Sequence, residues 1–201
     1  MKYLKKLKLN RGFTLVELII VLSLLLVILG AIYNFFYHSQ TVYIRTETQS
    51  ILQDEVNKVL QYLANDIRSA SKPDNTVKSI MVYKDGTLVS AGNRIDIYDV
   101  KEGEFYKTSY LYANNTLKRG VVKKNSTAEI KTASVTYETI LEGVQYPSPG
   151  ELFKDITDEV EGEVNDRRHI EINLLVNDPY DRISTTYSYL VSYTSRTKGA
   201  Y

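Results

Sequence analysis

The chain has no cysteine, no tryptophan, two histidines and four prolines in 201 residues. Without cysteine it can hold no disulfide, no thiolate zinc site and no cysteine nucleophile, so any exported domain must be held together by burial alone. The two histidines, His38 and His169, stand far apart in sequence. No Ser-His-Asp order, His-x-x-x-His pair or glycine-rich phosphate loop accompanies them, so they read as surface or packing residues and an enzyme has no constellation to work with. No proline or glycine lies between Ala31 and Ser71, which removes every strong helix breaker from that stretch. Acid is also missing at the start: five cations (Lys2, Lys5, Lys6, Lys8, Arg11) precede the first carboxylate, Glu17.

What is present is one long apolar run. From Phe13 to Phe36 nearly every residue is apolar, and Glu17 is the only charge. At about 1.5 Å per residue this makes a helix of roughly 36 Å, enough to cross a bilayer core. A carboxylate at mid-membrane costs about 2.5–3.5 kcal/mol and less near the interface, so Glu17 calls for a partner. A secretory signal peptide would need a small-residue cleavage site after a short core. The one candidate, Gly30-Ala31, follows the bulky Ile28 and Leu29, and the apolar run resumes with Ile32, Tyr33, Phe35 and Phe36. An ordinary single-span anchor would have no use for Glu17.

The order Arg11-Gly12-Phe13-Thr14-Leu15-Val16-Glu17 resembles the class III leader of type IV pilins and pseudopilins. In that family a short basic leader ends in glycine, phenylalanine usually follows, and glutamate stands fifth in the mature chain. The resemblance implies cleavage by a prepilin peptidase between Gly12 and Phe13, N-methylation of Phe13, and a role for Glu17 in assembly. There its carboxylate would meet the α-amino group of a neighbouring subunit. A cationic terminus about one helical turn from Glu17 agrees with this, since opposite charges attract strongly in a low-dielectric setting. The mid-helix proline common in major pilins is absent here. Because the cut precedes the apolar run, the span stays in the mature protein. The positive-inside rule puts the leader in the cytoplasm and everything after Phe36 outside.

Removing the leader leaves 20 lysines and arginines against 24 acids, a net charge of −4. That balance does not favour a nucleic-acid binder, although Lys118, Arg119, Lys123 and Lys124 could form a local basic patch. Beyond the span, Leu52, Val56, Val59, Leu60, Leu63, Ile67 and Ala70 recur at spacings of three and four, which predicts one amphipathic helix continuing to about Ser71 and stopping before Pro73. From Thr76 the period falls to two. Val77–Tyr83 with Thr87–Val89, and Glu104–Tyr112 with Thr116–Lys123, read as hairpins. Further strands are expected at Arg94–Tyr98, Ser134–Tyr137, Ile170–Val176 and Ile183–Thr194. The stretch 147–168 reads as a loop with a short helical piece.

The expected fold is therefore α+β, a long N-terminal helix packed on antiparallel sheet. The expected organisation is a leader at 1–12, a membrane or filament-core helix at 13–36, its amphipathic continuation at 37–71 and a β-rich head at 72–201. Within the pilin family, Asp54–Ala70, Tyr112–Arg119, Ile170–Asp178 and Ser184–Ser195 are similar to the corresponding pieces of J-type minor pseudopilins and related minor pilins. The resemblance implies a non-catalytic subunit that starts or caps a type IV pilus or a secretion-like filament. Its partners would be other major and minor pilins, the prepilin peptidase and the assembly platform, at the cytoplasmic membrane before assembly and in a surface filament afterwards. No cofactor or metal is expected. The acids at Asp155, Asp158, Glu159, Glu161, Glu163, Asp166, Asp178 and Asp181 suit calcium by ligand type but lack an ordered spacing, so they read as solvated loops. The alternative is a filament-tip adhesin or a subunit binding DNA or another ligand, since 17 tyrosines could serve an interface. Strand propensity explains Tyr187, Tyr189 and Tyr193 equally well, placing them on one face.

Overall fold

A computed structural model describes residues 13–147, 151–157, 167–180 and 182–195. The chain divides into two units between Thr46 and Glu47. Helix α1, Leu15–Ser69, runs through both without a break, as expected where no proline or glycine interrupts the backbone after Ala31.

In the first unit the helix exposes apolar side chains on every face, from Leu15 through Phe36. In the second, Leu52, Val56, Val59, Leu60, Leu63, Ile67 and Ala70 are buried, together with Thr48 and Ala64. These residues share one core with Ile80, Val82, Ile95, Ile97, Tyr110, Leu117 and Leu141 of one sheet and Ile170, Ile172, Leu174 and Val176 of the other. The stripe is thus the core-facing side of an α+β head with a pilin-like architecture.

The first sheet is antiparallel in the order β2-β1-β4-β5-β6-β7. Its strands are β1 (Ile80–Lys84), β2 (Thr87–Val89), β4 (Arg94–Lys101), β5 (Glu104–Ala113), β6 (Thr116–Lys124) and β7 (Glu138–Glu142). The second runs β11-β10-β9-β3, with β8 also on β10. Here β3 is Ala91–Gly92, β8 Val144–Gln145, β9 Phe153–Asp155, β10 His169–Val176 and β11 Tyr187–Thr194. Tight turns follow from residues with positive φ: Asp85-Gly86, Glu102-Gly103 and Asn114-Asn115, the backbone that two-residue hairpin loops require. A short helix α2, Thr127–Thr132, is capped by Ser126, whose Oγ accepts from the Glu129 amide.

Three expectations need correction. Ser134–Tyr137 is not a strand. The sixth strand of the first sheet is instead Glu138–Glu142, and the preceding segment passes so close to β6 that a Cβ on Gly120 would run into Val135 and the Thr136 carbonyl. The last strand begins at Tyr187 rather than Ile183. Within 147–168 there is a strand, β9, held by pairing to β10 and β3; most of the expected loop lies outside the described residues.

The end of α1 is tied to β4. The Ser71 amide donates to the Tyr98 carbonyl at 2.9 Å, its hydroxyl donates to Asp99 Oδ1, and Ser71 Oγ accepts from the Val100 amide. A second tie joins the helix to the β5–β6 hairpin. Asp66 Oδ2 accepts from the Tyr110 hydroxyl at 2.5 Å and from Arg119 Nη2 at 3.0 Å. Tyr110 is fully buried, and burial together with the neighbouring Asp66 pushes its hydroxyl well above the usual phenol range. Tyr110 is therefore a permanent donor here. Replacing Asp66 with alanine leaves the buried Tyr110 hydroxyl without its acceptor and Arg119 with only that hydroxyl to bond, and should cost about 1–3 kcal/mol in thermal or denaturant unfolding. Tyr110→Phe should cost less, because Arg119 still holds the carboxylate.

Candidate assembly site at the start of helix α1

Phe13 is 81% exposed and precedes the first helical residue, Leu15, by two positions. Gly12, on the other side of the expected cleavage junction, lies outside the described residues. The Thr14 amide donates to Glu17 Oε2 at 3.0 Å, the Thr14 hydroxyl donates to the same oxygen at 3.0 Å, and the Glu17 amide donates back to Thr14 Oγ1 at 3.2 Å. This is the reciprocal arrangement of a capping box, which satisfies amides that the first turn of a helix leaves open. The carboxylate also sits at the positive end of the helix dipole.

Glu17 is thus already engaged within its own chain, a link that sequence reasoning did not draw. The signal was legible as Thr14-x-x-Glu17 ahead of an apolar run. Around it, Leu15, Val16, Leu18, Ile19 and Ile20 all lie bare. The one polar side chain in the next two turns, Ser23, turns its hydroxyl back onto the Ile19 and Ile20 carbonyls at 2.9 Å, which hides it from an apolar surrounding. By length and composition the helix is able to cross a membrane.

The other singled-out residues lie elsewhere and do not converge. His38 is exposed on α1, while His169, on β10, meets the Thr194 hydroxyl through Nδ1 at 2.8 Å. Asp178 is buried under Arg182, whose guanidinium, with the Tyr180 and Arg182 amides, holds its carboxyl below the usual range. Asp155 accepts from the Thr157 amide and pairs with Arg168. The acids at 158–166 and Asp181 lie outside the described residues. Among the described residues no group of three or more His, Asp or Glu side chains is placed to hold a metal ion.

No curated protein matches the chain, and no solved structure does. Residues 7–33 match the family model for the prokaryotic N-terminal methylation motif. That motif and the long apolar helix behind it support a type IV pilin-family protein, a structural family processed by prepilin peptidase, anchored in the membrane and assembled into filaments.

Proposed function

We propose that the chain is a minor pilin or pseudopilin of the J type, a non-catalytic subunit that initiates or caps a type IV pilus or a secretion-like filament. Prepilin peptidase cuts between Gly12 and Phe13, Phe13 is N-methylated, and Glu17 pairs with the new terminus of a neighbouring subunit. The mature protein crosses the cytoplasmic membrane once through residues 13–36, with the amphipathic segment 37–71 and the β-rich head at 72–201 outside. The observation that carries this reading is the conjunction at one helix start. A glycine-phenylalanine junction after a basic leader stands ahead of a lone carboxylate on a helical segment whose apolar side chains, from Leu15 through Phe36, are exposed on every face. The subtype rests on the likeness of Asp54–Ala70 and Tyr112–Arg119 to segments of minor pseudopilins; Asp66 of the first and Arg119 of the second form a partly exposed ion pair at 3.0 Å.

The test is the state of the N-terminus. Intact mass from native membranes should match a chain beginning at methylated Phe13, and Gly12→Val should leave the leader attached. A native chain that begins at Met1, or near Ala31, refutes the reading.

A ligand-binding subunit at a filament tip is the second reading, favoured by an open groove of about 590 Å³ beside α1. Ile51, Tyr62, Ile140, Pro179 and Tyr180 line it. Binding of the protein to cells or DNA that is lost in Tyr180→Ala would support that role, and equal binding by the variant would remove the groove from it.

A further inference from the structure

Three loops of the head meet around an open cleft of about 320 Å³. They are the β5–β6 turn with Asn114, Asn115 and Thr116, the β7–β8 junction with Glu142, Gly143 and Gln145, and the exit from β10 with Asn177, Asp178 and Pro179. Backbone bonds lace them together. The Val144 amide donates to the Asn115 carbonyl at 3.0 Å, and the Asn177 amide donates to the Gly143 carbonyl at 2.9 Å. Gly143 has a φ of 70°, and a Cβ there would run into the Asn177 carbonyl, so only glycine lets these two loops approach so closely. Asn114 and Asn115 also take positive φ, which asparagine tolerates better than most residues. The walls of the cleft are thus fixed by the chain's own backbone.

The lining is polar, and much of its hydrogen-bonding capacity is unspent. Among the described residues the side chains of Asn114, Glu142 and Gln145 have no hydrogen-bond partner. Asn115 Oδ1 accepts from the Tyr112 hydroxyl at 3.1 Å, which leaves the NH2 group as the available half of that amide. Asn177 Oδ1 is buried and has no donor. Buried polar atoms are nearly always paired, so an orphaned acceptor in a cleft wall calls for a donor from outside the chain. Asp178 is already engaged by Arg182, so Glu142 is the one carboxylate available. No lysine or arginine is among the lining residues.

This composition selects a class of ligand. A phosphate or carboxylate would meet no cation and one like charge. A calcium ion would find a single available carboxylate, fewer than such sites commonly supply. An apolar ligand would strip water from the amides without replacing its bonds. Hydroxyl groups fit, because each both donates and accepts: they can donate to Glu142 and accept from the NH2 groups of Asn114, Asn115 and Gln145. We infer that the cleft is a binding site for a neutral carbohydrate, and that the head recognises a glycan in addition to its place in a filament. The volume lies at the lower end of the range for small-molecule sites, about 300–1,000 Å³. The cleft adjoins the groove beside α1, with Glu142 and Pro179 common to both.

A glycan array printed with neutral, sialylated and sulfated glycans, probed with the full-length protein in detergent micelles, tests this. The protein should bind a set of neutral glycans, and the free methyl glycoside of their terminal sugar should compete. Three variants change exposed positions outside the core. Glu142→Gln should weaken binding about tenfold, because bonds to a charged acceptor are the stronger ones. Gln145→Ala and Asn114→Gly should weaken it severalfold, and glycine keeps the positive φ that the turn requires. Tyr62→Ala, in the groove but not in the cleft, should bind as wild type does. Binding to no neutral glycan overturns the proposal, as does a preference for sialylated or sulfated ones. It is equally overturned if Glu142→Gln and Gln145→Ala bind as well as wild type, or if Tyr62→Ala abolishes binding, which would place the sugar in the groove.

Discussion

Glu17→Leu should reach the membrane at wild-type level or above and yet be missing from filaments and from complexes with partner pilins. Removing a carboxylate from an apolar helix lowers the penalty of insertion. What it also removes is the one charge able to meet the α-amino terminus of a neighbour. Burying a carboxylate and an ammonium together is favourable only when both are placed well, so the pair selects a correctly staggered partner rather than any partner. The contacts to Thr14 sharpen the test. A carboxylate that already accepts from Thr14 is less costly in the free subunit than a bare one, so the helix cap must be separated from the proposed pairing. Glu17→Gln keeps an oxygen for the Thr14 amide and loses the charge. If charge pairing recruits the subunit, Glu17→Gln should fail as Glu17→Leu does; if the helix cap is what matters, it should assemble normally. Co-purification with partner pilins at matched membrane abundance reads the difference. A subunit at the extreme tip, with no neighbour above it, would assemble in both variants.

Leu63→Ala should be the most damaging change on the helix stripe, at about 2–5 kcal/mol. Leu63 is fully buried, with Val59, Leu60 and Ile67 beside it on the helix and both sheets in the same core. Its loss leaves a cavity between a helix and two sheets, and with no disulfide to limit the unfolded state nothing offsets the deficit. Denaturant unfolding of the chain should show the midpoint moving sharply. The exposed neighbour Tyr62 is the control, and Tyr62→Ala should move it far less.

The helix was readable because its signal is redundant. A stripe at three-and-four spacing from Leu52 to Ala70 and a long absence of breakers both point to the same element, and every stripe residue is buried. The hairpin at Asn114-Asn115 was equally plain, since two asparagines tolerate the positive φ that the turn needs. Where reading failed, local pattern and tertiary role diverged. Val135 and Tyr137 alternate as strand residues do, but the space over Gly120 is where that segment lies, so the pairing passes to Glu138–Glu142. Glutamates at both ends of that strand hid it, and a bulge between Leu117 and Lys118 breaks its register. Helix α2 went unseen because it has only six residues, although Ser126 and Glu129 carry its cap. At the assembly site the sequence marked Phe13 and Glu17, while the bond from Thr14 needed only a three-residue spacing to be suspected. The Asp66–Arg119 contact spans 53 positions and belongs to topology, not to pattern.

The ties that close the C-terminal end of α1 also set how the head answers to mechanical load. Tension applied along the helix axis cannot peel the head open one contact at a time. It must slide the whole stripe from Leu52 to Ala70 across its bed at once, while the Ser71 clamp on β4 and the Asp66 link to the β5–β6 hairpin resist the same displacement in parallel. Contacts sheared together fail at higher force than contacts broken in series. Ser71→Ala should therefore lower the rupture force of the head more than its resting stability suggests.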